Sequence, residues 1–247
     1  MIKPTARLKL TPNDVDYIAS VFEPSRSNQE AVLKLLATPS ERDAILDHPK
    51  LFSHITTYPN MTRISLSLYF YLLVRHTLLE HGIDDREVAD YLASMLSEFA
   101  ADGRSEKISK YHEKRYGYIV DMLEDLPNAN SEQFFLLQSH LGNYCMFMLG
   151  LYPDRIFHRA NFGRAAPSQS WYEEIGRSGY HYASRSQIAE KWRLAQTLEI
   201  LGSEFRTIRF ALNDMSERRL NLDDNAQKPE KVIRRVNAFI ERKRYLS

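Results

Sequence analysis

Residues 184–213 read SRSQIAEKWRLAQTLEILGSEFRTIRFALN, and the apolar members of that stretch fall at helical spacing. Ile188, Trp192, Ala195, Leu198, Leu201, Phe205, Ile208 and Leu212 follow one another at intervals of three or four residues. A repeat near 3.6 gathers them on one side of a helix and leaves the other side polar. The spacing therefore predicts a long amphipathic helix over 186–213.

The same signature extends in both directions. Upstream, Phe134, Leu137, Leu141, Tyr144, Met148 and Leu151 share one face of a helix over 131–151. Val88, Leu92, Met95, Leu96 and Phe99 form another stripe, and 64–79 is apolar nearly all round, as expected for a central helix touched on most sides. Helix starts agree with the spacing. Thr11-Pro12-Asn13-Asp14 supplies a capping hydroxyl, a proline at the first helical position and an acid in the first turn. Ser27-x-x-Glu30, Thr38-x-x-Glu41, Asp84-x-x-Glu87 and Ser184-x-x-Gln187 repeat the capping-box pattern.

These signals predict helices near 12–22, 28–37, 39–47, 61–81, 85–101, 108–126, 131–151, 171–182, 186–213 and 229–244, with no need for a strand. The fold class that follows is all-α, a single-domain irregular bundle of roughly nine to ten helices. Residues 1–220 form its helical core domain. After a polar connection over 220–228, residues 229–247 form a basic helix docked on that core.

Composition narrows the class. Apolar residues make up 43% of the 247 and charged residues 26%, which is ordinary globular usage, and the nine glycines are few for a fold built on tight hairpins. No apolar run approaches the roughly 18–20 residues that cross a bilayer, so no transmembrane segment is expected. A single cysteine, Cys145, lies in an apolar run and has no internal partner. With no amino-terminal leader pattern either, the expected compartment is cytoplasmic. Residues 1–150 carry a formal charge of −5 and residues 151–247 a charge of +6. That asymmetry suits attraction between the halves, or an anionic partner at the carboxyl end.

Candidate chemistry is sparse. No Glu-x-x-His, His-Glu-x-x-His or paired-cysteine motif occurs, and no glycine-rich phosphate loop follows a strand pattern. Asp154 and His158 stand four apart and form the candidate metal pair, although an acid after Pro153 also suits a helix start. Gln138, His140 and Asn143 interrupt an apolar helix, so they lie at an exposed edge, in a structural network or along a pocket. The segment 171–182 crowds Trp171, Tyr172, Arg177, Tyr180, His181 and Tyr182, with Arg164 upstream. Guanidiniums beside aromatic faces suit phosphates, carboxylates or stacked bases, and they also stitch helices together. A small-ligand pocket would form where His140, Asn143, His158, Arg164, Arg177, Tyr180 and His181 meet. At the carboxyl end Lys231, Arg234, Arg235, Arg242, Lys243 and Arg244 border an apolar stripe and are the candidate contacts to nucleic acid or another anion.

The leading functional expectation is a cytoplasmic binding or regulatory protein acting through protein–protein contacts, as a homo-oligomer or with a protein partner. An alternative is a metal-, haem- or other cofactor-dependent enzyme with its pocket between central helices. A second alternative is nucleic-acid binding through the carboxyl-terminal helix.

Overall fold

The computed structural model describes residues 1–25, 29–57, 64–100, 104–109, 111–153, 156 and 167–220. Helices and no strands occur among them, which bears out the all-α fold class. No helix among the described residues is long and apolar enough to cross a membrane. Packing gathers the described residues into two compact units, one of the described parts of Pro4–Ser97 and one of Met1–Lys3 with the described part of Glu98–Lys231.

The amino-terminal unit holds α1 (Pro12–Phe22), α2 (Gln29–Ala37), α3 (Pro39–Leu46), α4 (Pro49–Thr57), α5 (Leu66–Glu80) and most of α6 (Arg86–Phe99). Thr11 caps α1 as its sequence predicts: its hydroxyl accepts from the Asp14 N–H, and the Asp14 carboxylate accepts from the Thr11 N–H. Helix α4 escapes the periodicity argument because it has only two buried anchors, Leu51 and Ile55. Its one advance signal is Pro49 at the first position.

Helix α5 is buried from Leu68 to Leu78, and that run includes Arg75. A guanidinium 2% exposed must be paired, and Arg75 donates to both carboxylate oxygens of Asp47 at 2.9 Å and to Asp84 at 2.6 Å. Arg86 also donates to Asp47, at 2.9 Å. Burial opposes ionisation of Asp47, yet its hydrogen bonds to Arg75 and Arg86 outweigh that and hold its carboxyl below the usual carboxylate range. A second buried guanidinium, Arg7, pairs with Asp43 at 2.7 Å and with Glu87.

The carboxyl-terminal unit is organised on α8 (Ser131–Leu151), with α7 (Ile119–Asp125), α9 (Gln169–Ser184), α10 (Gln187–Lys191), α11 (Ala195–Ser203) and α12 (Phe205–Met215) around it. Helix α7 is shorter than the predicted 108–126. Residues leading into it are turned back by the Tyr116 N–H bonding the Glu106 carbonyl at 2.7 Å and the Tyr116 hydroxyl bonding Asp125 at 2.8 Å.

The stretch 186–213 is also not one helix. Helix α10 ends in a left-handed turn at Arg193 (φ 55°), where the Leu194 N–H reaches back to the Ala189 carbonyl at 2.8 Å. This is the six-to-one closure that usually takes glycine at the left-handed position. An arginine there carries no sequence warning. The break shifts the apolar phase, so Leu194 is buried while Trp192 is exposed, with the Lys3 ammonium 4.1 Å from its ring centroid.

Helix α9 crosses α8 at backbone contact. A Cβ on Gly179 would lie 2.7 Å from the Gln138 carbonyl oxygen and 3.0 Å from the Gly142 nitrogen. A Cβ on Gly142 would lie 2.6 Å from the Tyr180 ring, and one on Gly176 would strike Phe205 and Cys145. Three glycines thus bring the two helices closer than larger side chains permit.

Candidate functional site

That crossing divides α9 into two faces. Gly176, Gly179, Tyr180 and Ala183, at steps of three and one, turn inward and are buried. Ser170, Glu173, Glu174, Arg177, Ser178 and His181 turn outward and, with Arg206 of α12, line an open polar cleft of about 460 Å³. The crowded segment is therefore sorted by helical geometry: its small residues make the helix contact and its charges make the cleft.

Three cleft groups are held by their neighbours. Glu173 accepts from the Arg206 Nε at 2.9 Å, and the Arg209 Nε lies 3.6 Å from its other oxygen. The His181 Nδ1 stands 3.2 Å from Glu199 of α11, whose second oxygen accepts from the Ser184 hydroxyl at 2.7 Å. Those bonds, Ser184 first and His181 second, hold the Glu199 carboxyl below its ordinary range. The His181 ring lies against Gly202, where an added Cβ would come within 2.9 Å of it. Glu174 and Arg177 differ from these. Both are exposed, and neither forms an ion pair with another described residue.

Of the residues expected to share a pocket, Arg177 and His181 line the cleft, whereas His140, Asn143 and Tyr180 are in the core. The Tyr180 hydroxyl donates to the Asn143 Oδ1 at 3.0 Å. The His140 Nε2–H donates to the Ser105 carbonyl at 2.9 Å, and its ring meets Phe99 edge-on. These two α8 polar groups find separate partners inside the unit, His140 in the Ser105 carbonyl and Asn143 in Tyr180, and neither lines the cleft with His181. His158, Arg164 and Asp154 lie outside the described residues, as do Lys231, Arg234, Arg235, Arg242, Lys243 and Arg244. Among the described residues no group of three or more His, Cys, Asp or Glu side chains is arranged to hold a metal ion. Cys145 is fully buried, and burial pushes its thiol well above the ordinary range, away from nucleophilic use.

Burial first, and the charge of Arg104 second, push the His140 imidazole down to about 3. The unfolded chain takes up a proton near the ordinary histidine value of about 6.5, and the folded chain refuses it until about pH 3. Stability is therefore expected to fall by roughly 1.4 kcal/mol per pH unit through that window on account of this group. Urea titrations at pH 7, 6 and 5 should show His140→Gln, which keeps a donor for Ser105, losing less stability on acidification than the parent. Equal losses in the two proteins would contradict a buried, neutral His140.

Comparison with known protein families, with curated proteins and with solved structures finds no match to this chain.

Proposed function

We propose that this chain is a cytoplasmic helical binding protein that acts through protein–protein contacts, as a homo-oligomer or with another protein as partner, and that the outward face of α9 is where contact is made. The observation that carries this reading is the pair Glu174 and Arg177, two opposite charges held out on an open face with no ion pair to another described residue. Small-molecule and cofactor sites are concave and mostly apolar, with a few polar groups placed among them. This cleft is lined by charged and hydroxyl-bearing side chains instead. Such a surface suits the specificity and orientation of a protein partner. His140 and Asn143 lend no support to a cofactor pocket, since each is committed to a bond within the unit. The cytoplasmic part of the reading rests on the lone cysteine, which forms no internal disulfide.

A photo-crosslinking amino acid at Ser178, introduced in the living host, tests the contact. Irradiation is expected to yield a defined polypeptide adduct that the same group at Tyr111, 83% exposed and away from the cleft lining, does not yield. No adduct beyond that control would refute the reading.

A further inference from the structure

We infer that a second copy of this chain occupies the cleft, with the two α9 helices antiparallel about a two-fold axis that passes between Ile175 and Gly176. This rests on the reading of α9 as a protein-contact face and names what sits there. The six α9 residues that line the cleft are Ser170, Glu173, Glu174, Arg177, Ser178 and His181. Folded about that axis they pair off without remainder: Glu174 opposite Arg177 of the second copy, Glu173 opposite Ser178, and Ser170 opposite His181. Each pair matches an acceptor to a donor, and no like charges meet. An axis through Glu174 or Arg177 itself would instead set a charge against its own kind.

An isologous contact requires this property, that residue i meets residue j while j meets i. Glu174 and Arg177 are separated by roughly 4.5 Å along the helix. Antiparallel helices 8–10 Å apart therefore bring two Glu–Arg pairs within reach of their long side chains at once. Inside one chain these charges find no described partner. Across the axis both do. Phe210, half exposed and four residues beyond Arg206 on α12, offers an aromatic anchor beside the polar stripe, with the Arg209 guanidinium 4.2 Å from its ring centroid.

Sedimentation equilibrium of the full chain tests the inference, because the substituted side chains are exposed. The parent protein is expected to dimerise. Glu174→Arg and Arg177→Glu should each weaken self-association roughly a hundredfold, since each replaces two attractive pairs with like charges. An equal mixture of the two single variants should pair again near the parent affinity, as should the double exchange Glu174→Arg with Arg177→Glu. Phe210→Ala should weaken the dimer about tenfold. A monomeric parent, a dimer indifferent to both reversals, or single variants that do not pair on mixing would each overturn the inference. The crosslink at Ser178 separates this failure from that of the broader reading. An adduct of twice the chain mass supports the self-contact, an adduct of any other mass overturns it while the contact face stands, and no adduct removes both.

Discussion

Gly179→Ala is expected to destabilise the carboxyl-terminal unit by about 3 kcal/mol, although alanine is the better helix former by about 1 kcal/mol. The sign is set by what the new methyl meets. Its nearest neighbours are backbone atoms of α8, the Gln138 oxygen at 2.7 Å and the Gly142 nitrogen at 3.0 Å, and backbone cannot swing aside as a flexible side chain can. The helices must separate instead, which pulls the Tyr180 hydroxyl away from Asn143 and leaves buried polar atoms short of partners. Gly117→Ala is the control, because a Cβ there meets nothing within 4 Å, and it should change stability by less than about 0.5 kcal/mol. Denaturant midpoints followed by the near-ultraviolet signal of the aromatics check both. A neutral or stabilising Gly179→Ala would mean that α9 does not cross α8 at backbone contact.

Arg75→Leu should cost the amino-terminal unit about 3 kcal/mol, the low end for breaking a buried ion pair. It falls at the low end because Asp47 keeps Arg86 as a second donor at 2.9 Å, and because Asp84 is well exposed and regains water. The exposed pair Lys34 and Glu30 has the same 2.9 Å separation, yet Lys34→Leu should shift stability by no more than about 0.5 kcal/mol. Burial separates the two cases, not distance.

The sign of the pH dependence follows from Asp47. Its folded-state carboxyl titrates below the ordinary value, so its contribution is present above about pH 4 and disappears as pH falls through the lower folded value. The penalty of Arg75→Leu should therefore shrink below about pH 4. Hydrogen exchange of α5 amides at pH 7 and pH 2.5 reads this directly, and a penalty that grows on acidification would contradict the assignment.

What could be read in advance from the residues was helix identity more than helix continuity. Capping at Thr11, the all-round apolar run of α5 and the stripe of α6 act within a turn or two of themselves, so they survive as read. The break at Arg193 is set by a left-handed residue that is not glycine, and Leu194 is buried in place of Trp192 only because of it. No local pattern announces that. Ser186, not Ser184, caps α10, which frees the Ser184 hydroxyl to hold Glu199. Asp85 rather than Asp84 takes the N–H at the start of α6, leaving Asp84 to Arg75.

The candidate site was half visible for the same reason. Arg177 and His181 stood out by type, whereas Glu199, Ser184, Gly202 and Arg206 matter through contacts between helices that sequence spacing does not encode. His140, Asn143 and Tyr180 resembled pocket residues because buried polar groups and ligand-binding groups are drawn from the same side chains. Only their partners, the Ser105 carbonyl and each other, distinguish the roles.

Native-state hydrogen exchange of α8 and α9 bears most directly on the whole scheme, since the outward face of α9 exists only if its glycine face is locked to α8. Amides of Gly142–Tyr144 and Gly176–Tyr180 should open together, with one free energy and one dependence on denaturant. If α9 instead opens separately, at a markedly lower free energy than α8, the glycine crossing is not what holds Glu174 and Arg177 outward.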